Sequence, residues 1–326
     1  MRNSLHSAAE AGDVDEIESL LALGFSIDSR DDDKGRTPLM AAAVNDQLQA
    51  VKYLLEHGAD PSLQDNNGCN VLHYASQGGN PEVIELMFSH VSTINSITEE
   101  GSTPLMIAAY YDKLQAVKYL LEHGADPSLQ ANNGWNVLHC ASAGGNPEVI
   151  ELMLSHVPSI NSITEEGFTP LMIAASEDKL QAVKYLLEHD ADPTLQDNNG
   201  WNVLHCASQG GNPEVIELML SQAPSIDSIT NQGFTPPMIA AGNDKLQAVK
   251  YLLEHGADPS LQANNGWNVL HCASQGGNVA VLEEILSYGV DIESRDKFGE
   301  TPLMVAQRYG NSDTVAYLLG KGAKSS

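Results

Sequence analysis

A glycine followed by a short helix-start motif recurs at Gly35, Gly68, Gly101, Gly134, Gly167, Gly200, Gly233, Gly266 and Gly299, at a constant step of 33. A fixed period of this length marks a repeat architecture. Each unit is too small to bury its own apolar face and must stack on its neighbours. Upstream, Ser4-Leu5-His6-Ser7-Ala8-Ala9 aligns with Pro38-Leu39-Met40-Ala41-Ala42-Ala43 at a step of 34, the extra residue falling in Asp31-Asp32-Asp33. The count is therefore ten units.

A second period, twice as long, overlies the first. One unit type reads G-x-T-P-L-M-x-A-A, as from Gly101 to Ala109, and runs on through Leu114 to Pro127. The other reads G-W-N-V-L-H-C-A-S, as from Gly134 to Ser142, and runs on through Gly144-Gly145-Asn146-Pro147 to His156. The two alternate from Gly35 onward, as duplication of a two-repeat unit would leave them. Each unit reads as helix, turn, helix, extended loop. Thr103 is placed to cap a helix whose first residue is Pro104, where a missing N–H costs nothing. Leu105, Ala108 and Ala109 give that helix a small, apolar face, which lets a neighbour approach closely. Leu114, Val117, Leu120 and Leu121 make the apolar stripe of a second helix. Gly124 supplies a left-handed terminus, and Ala125-Asp126-Pro127 leaves it in an extended path.

A 33-residue period carrying T-P-L-M-x-A-A and L-L-E-H-G-A-D resembles the ankyrin repeat family from Leu5 to about Ala323. The resemblance implies an all-α stack of antiparallel helix pairs with short β-hairpin loops. It also implies a binding scaffold that uses the hairpin tips and first helices as a concave face. The expected organisation is one domain over residues 1–326, with capping repeats at 1–34 and 299–326 and eight 33-residue repeats over 35–298. Charged Glu10, Asp13, Asp15, Glu16 and Glu18 suit one cap, and Gln307, Arg308, Lys321 and Lys324 the other. A complete array is expected, although further domains could have been removed from either side. In the family, a histidine near the start of the first helix tethers neighbouring loops. That position is His73, His139, His205 and His271 in one unit type but Met40, Met106, Met172, Met238 and Met304 in the other. Alternate joints should lack the tether. Pro237 replaces a core leucine and Asp190 a terminating glycine, so both mark expected weak points. Hairpin asparagines are hydroxylation targets in the family, and Asn95 and Asn161 match that loop position.

The residues offer little chemistry. Cys140, Cys206 and Cys272 recur at every second repeat. At about 10 Å per helix layer they stand roughly 20 Å apart, and a disulfide needs Cα atoms within about 7 Å. The repeated histidines His57, His123, His189 and His255 sit at helix C-termini, where the dipole suits them, and cannot converge on a metal. The Gly-Gly pairs lack the preceding strand and following lysine of a phosphate loop. A catalytic site needs unique, asymmetric groups, whereas nearly every polar residue here is a copy of one two repeats away. No enzyme, cofactor or metal site is expected.

Charge directs the partner class. The formal net charge is −27, which disfavours nucleic acid and anionic membranes and favours a basic partner. No apolar run reaches the roughly 18 residues of a membrane span. The acidic N-terminus does not resemble a secretory signal, so a cytoplasmic or nuclear monomer is expected, although a protein exported by another route would look the same.

Comparison of the copies locates the contact surface. The second helices of the first unit type, such as Gln115 to His123, are nearly invariant. Change concentrates after the repeat glycine, at Arg36, Ser102, Phe168 and Phe234. It also falls at the end of the first helix, at Val44-Asn45, Tyr110-Tyr111, Ser176-Glu177 and Gly242-Asn243. By the resemblance, these positions face the groove. Either they touch a partner or they are exposed sites free to drift. Trp135, Phe168, Trp201, Phe234 and Trp267 put one ring in each of five successive repeats. Such rings are favoured anchors, or they pack on the next loop. Glu99-Glu100 and Glu165-Glu166 make the tips acidic, and residues 68–100, 134–166 and 200–232 contain no Lys or Arg. The expected site therefore comprises these five rings with Tyr110, Tyr111, Glu99, Glu100, Glu165, Glu166 and Glu177. Its expected ligand is a basic protein or extended peptide. The competing reading is a spacer with no partner of its own.

Overall fold

Threonine, asparagine and proline at the head of each repeat begin helices where the sequence places them. A computed structural model describes residues 4–31, 33–91, 93–222 and 225–324; Asp32, in the stretch carrying the extra residue, lies outside them. The chain divides into two compact units, Met1–Glu165 and Glu166–Ser326. The first holds α1 (Ser4–Ala11), α2 (Val14–Ala22), α3 (Pro38–Val44), α4 (Leu48–Glu56), α5 (Val71–Gly78), α6 (Pro81–Phe88), α7 (Pro104–Tyr110), α8 (Leu114–Glu122), α9 (Val137–Gly144) and α10 (Pro147–Leu154). The second holds α11 (Pro170–Ser176), α12 (Leu180–Glu188), α13 (Val203–Gly210), α14 (Pro213–Leu220), α15 (Pro236–Gly242), α16 (Leu246–Glu254), α17 (Val269–Gly276), α18 (Val279–Ser287), α19 (Pro302–Tyr309) and α20 (Ser312–Gly320). Among the described residues the fold is all-α, and ten helix pairs match the ten repeats.

Within each unit, odd-numbered helices pack on odd and even on even, while each pair closes on itself. The odd row packs more closely because its contacts are small residues: Ala41, Ala42, Ala108, Ala174 and Ala240 are fully buried. Glycine sets the closest approach. A Cβ on Gly144 would lie 2.5 Å from the Ala109 carbonyl oxygen, and one on Gly210 would lie 2.5 Å from that of Ala175.

The helix starts are capped in two ways. Thr37, Thr103, Thr169 and Thr301 accept the amide N–H of Met40, Met106, Met172 and Met304 at 3.2–3.4 Å. Asn70, Asn136, Asn202 and Asn268 accept from the two amides that follow at the same turn. Thr235 makes no such side-chain bond, in the one copy where Pro237 replaces leucine. Asp190 takes φ +66°, where its counterparts Gly58, Gly124 and Gly256 take +88° to +92°. The two expected weak points thus coincide with a missing cap and with a non-glycine residue in left-handed backbone.

The loops differ from the expected β-hairpins. Among the described residues there is one isolated antiparallel bridge, Gln196 to Asn202, and no strand. The tips are tight turns: Asp65 N bonds Cys69 O at 2.9 Å and Gly68 N bonds Asp65 O at 3.2 Å, and Asp197 N bonds Trp201 O at 2.9 Å and Gly200 N bonds Asp197 O at 3.1 Å. The tips also bond sideways. In the first unit, Asn66, Glu99, Asn132 and Glu165 donate their amides to the carbonyls of Lys34, Asn67, Glu100 and Asn133 at 2.8–2.9 Å. In the second, Asn198, Asn231, Asn264 and Lys297 donate to Glu166, Asn199, Gln232 and Asn265 at 2.8–3.0 Å. The turn residues of neighbouring tips are thus joined by a backbone bond within each unit, while the residues flanking the turn bond within their own tip.

Histidines add a second tether at alternate joints. His73 Nδ1 accepts the amide of Asn70, which leaves the proton on Nε2 to donate to Ser96 O at 3.1 Å. His139, His205 and His271 repeat this arrangement toward Ser162, Ser228 and Glu300. Burial lowers the pKa of His73 and His205 to about 4 and lowers that of His271, so the neutral form is kept. His6 bonds Arg36 O at 2.8 Å and extends the series to the first repeat. That tether escaped the sequence reading, although the alignment of His6 with Met40 carries its signal.

Candidate functional site

The repeat register places the first helices and loop tips along one side of each unit. In the first unit they enclose a concavity of about 500 Å³. Glu99, Glu100, Tyr110, Tyr111 and Trp135, all expected from the sequence, line it together with Lys34, Asp65, Cys69, Tyr74 and Ile107. Tyr110 and Tyr111 end α7 as exposed rings, 44% and 46% accessible, set edge to face with centroids 5.2 Å apart. Trp135 is half-buried, its ring tilted 6.1 Å from that of His139. The backbones of Glu99 and Glu100 are held in the tip ladder, and the Asn132 amide side chain adds a bond to Glu99 O at 2.9 Å. Both residues are exposed at the rim.

Two residues in this concavity escaped the sequence reading. Cys69 stands where three other copies carry Trp135, Trp201 and Trp267. Tyr74 stands where those copies carry Cys140, Cys206 and Cys272. The signal was available at positions 69 and 74 of the same two-repeat comparison. A small thiol in place of an indole opens space in the groove wall. Tyr74 fills part of the floor and donates its hydroxyl to Asp65 Oδ2 at 2.7 Å. Burial, followed by this carboxylate, raises the Tyr74 pKa, so the phenol stays protonated. Burial, with Asp65 second, pushes the Cys69 thiol up to about 12. Cys140 and Cys272 are likewise raised to about 12 by burial, and Cys206 is raised further. These thiols are apolar groups rather than nucleophiles. Among the described residues no three His, Cys, Asp or Glu side chains gather as metal ligands.

The remaining expected residues stand elsewhere. Glu165 is exposed at the last tip of the first unit. In the second unit, Glu166 and Glu177 are exposed, and Phe168, Trp201 and Phe234 are half-buried. Trp267 is only 8% accessible and donates Nε1 to Asp296 Oδ2 at 3.1 Å. Its ring packs on the next loop, as the alternative reading of the aromatic series held. Asn95 is half-buried, and its Oδ1 accepts the amide of Asp126 at 2.9 Å, so this side chain braces the following loop. The repeated histidines stand at the ends of α4, α8, α12 and α16. His57, His123, His189 and His255 bond the carbonyl four residues back through Nδ1 and stack on Tyr53, Tyr119, Tyr185 and Tyr251 at 3.9–4.0 Å.

Helix pairs stacked in a 33-residue register, joined through their loop tips and lined on one side by small-residue helices, define a helical-repeat protein. The family described as ankyrin repeats in three copies matches residues 1–65, 57–131, 124–197, 190–263 and 238–326. The chain belongs to the ankyrin repeat family. It is 34% identical over 152 residues to transient receptor potential cation channel subfamily A member 1 of Homo sapiens, covering 46% of this chain and 14% of that protein. It is 28% identical over 162 residues to inversin of Canis lupus familiaris, covering 49% of this chain and 15% of that protein. A putative ankyrin repeat protein of Rickettsia felis is 27% identical over 127 residues, with 38% of this chain and 42% of that protein covered. The chain therefore matches less than half the length of each of these relatives. Ankyrin repeats are in general protein-interaction modules without catalytic activity. No helix among the described residues is long and apolar enough to cross a membrane.

Proposed function

We propose that the chain binds an extended basic segment of a partner protein in the groove of its first unit. The observation that carries this reading is the clustering of unrepeated residues. Cys69, Tyr74, Tyr110 and Tyr111 differ from their counterparts two repeats on, and all four line one concavity. Tyr110 and Tyr111 are exposed, but Cys69 is half-buried and Tyr74 buried, so drift of exposed positions does not account for the set. The groove's chemistry supports the partner class: aromatic walls for an extended chain, and Glu99 and Glu100 at the rim for its cations. Glu165, at the last tip of the first unit, would add a further carboxylate there; in the second unit Glu166, Phe168, Glu177, Trp201, Phe234 and Trp267 hold the equivalent positions and are proposed as contacts of that unit in its own right. Trp267 would contribute least, being buried. A monomer working in the cytoplasm or nucleus fits this reading, and nucleic acid does not fit the charge.

The test is capture from cell lysate by the parent and by a Tyr111→Ala/Trp135→Ala variant, with circular dichroism confirming that both are folded. Proteins held by the parent and lost by the variant, with Lys/Arg-rich segments in common, support the reading. Equal capture moves the site off this groove. Capture by neither returns the chain to the spacer reading.

A further inference from the structure

The second unit contains an occupied version of the same chemistry. Arg308, on α19, lies with its guanidinium carbon 5.8 Å from the Trp267 ring centroid and 5.3 Å from that of Tyr309. Its Nη2 pairs with Glu300 Oε2 at 3.1 Å. Two aromatic faces and a carboxylate thus hold one guanidinium supplied by the chain itself. Six repeats earlier in register, Tyr111 stands where Tyr309 stands, and Tyr110 stands in place of Arg308. Lys297 has become Glu99. Of the groups that hold Arg308, only the Tyr309 ring is kept in register, as Tyr111; Trp267 corresponds to Cys69 and Glu300 to Ser102. The first-unit groove draws its other rings and its carboxylates from different positions, Tyr110, Trp135, Glu99 and Glu100, and has no arginine among its lining residues.

We infer that this groove takes one arginine side chain of the partner, its guanidinium stacked against Tyr110, Tyr111 and Trp135 and paired with Glu99 and Glu100. The inference rests on the basic-peptide reading above and narrows it. A planar guanidinium fits flat rings and a carboxylate together, whereas an ammonium is a compact, strongly hydrated charge that gains less from stacking. The space left by Cys69, where other copies hold an indole, is suited to a planar group. Lys34 also lines the concavity, but Asp65, Glu99 and Glu100 outnumber it, so the field favours a cation.

The experiment is calorimetric titration at one fixed salt concentration with amidated hexa-arginine, hexa-lysine and hexa-citrulline peptides. The proteins are the parent, Tyr110→Ala/Tyr111→Ala and Glu99→Gln/Glu100→Gln, each checked for an unchanged melting curve. The parent should bind hexa-arginine about tenfold more tightly than hexa-lysine, since stacking separates the two cations. Hexa-citrulline, planar but neutral, should bind far more weakly. The tyrosine variant should lose the preference for arginine while keeping its lysine affinity, and the glutamate variant should weaken for both cations. Equal parent affinity for arginine and lysine, with both lowered by the variants, would overturn the arginine subsite and leave the basic-peptide reading standing. Binding by neither cation, or binding that no groove variant changes, would overturn both.

Discussion

The groove repeat of the first unit and its copy in the second share a backbone and differ in what the backbone presents. Asp65 Oδ1 accepts the amides of Asn67 and Cys69 at 2.9 and 2.8 Å, and Asp197 Oδ1 accepts those of Asn199 and Trp201 at 2.8 and 2.7 Å. The turns are the same object. The outer oxygens diverge: Asp65 Oδ2 receives the Tyr74 hydroxyl, whereas Asp197 Oδ2 is buried without a hydrogen-bond partner beside Cys206. At the end of the following helix, Tyr110-Tyr111 in one unit answers Gly242-Asn243 in the other. Scaffold and surface are therefore encoded by different positions. Between these two copies the caps Asn70 and Asn202, the repeat glycines Gly68 and Gly200 and the turn aspartates Asp65 and Asp197 are held constant while the groove residues vary.

The largest effect should fall on what the two copies share. Gly144→Val and Gly210→Val each drive a branched side chain into a backbone carbonyl. Each should cost roughly 3 kcal/mol in denaturant unfolding, by overpacking. Similar losses would support a common scaffold, and a loss in only one unit would break it. Acid acts on both copies as well. His73 and His205 titrate near 4 when folded and near 6.5 when unfolded, so the unfolded chain binds more protons between those values. Stability is full above about pH 6.5 and falls as pH drops toward 4. Thermal melts at stepped pH should follow that slope. Replacing both histidines with Met, the residue at alternate joints, should flatten it.

Smaller effects sharpen the difference. Tyr74→Cys gives Asp65 the surroundings of Asp197 and should cost about 1–2 kcal/mol, the penalty for a buried acceptor left without its donor. Cys206→Tyr should move the second unit the other way by about 1 kcal/mol, by supplying a donor. Opposite signs in denaturant melts are the expected result, and equal signs would contradict the comparison. Smallest of all, Asp190→Gly should gain up to about 1 kcal/mol by relieving left-handed backbone at a non-glycine residue.

Most of the fold was legible because the repeat is local. The Thr-Pro starts, the Leu114–Leu121 stripe and the terminal glycines each act within one unit, and their recurrence fixed the register. The left-handed backbone at Asp190 was legible for the same reason. The loops were less so. That a tip bonds to its neighbour as well as to itself depends on spacing between repeats, which the sequence of one repeat does not state. The site was half legible. Glu99, Glu100, Tyr110, Tyr111 and Trp135 stood out as aromatic or acidic variants. Cys69 and Tyr74 did not, because a thiol in place of an indole reads as a loss until the space it leaves is seen. Trp267 carried the same ring as Trp135, yet its partner, Asp296, lies 29 residues away and buries it.

The three tryptophans, Trp135, Trp201 and Trp267, give three indole N–H signals in a nitrogen–proton correlation spectrum. Titrating the intact chain with amidated hexa-arginine peptide and following those signals tests the central claim most directly. The account predicts that the Trp135 signal moves first and furthest, while Trp267, buried and bonded to Asp296, holds its place. Saturation by the peptide with Trp135 unmoved would show that the groove of the first unit is not where the chain binds.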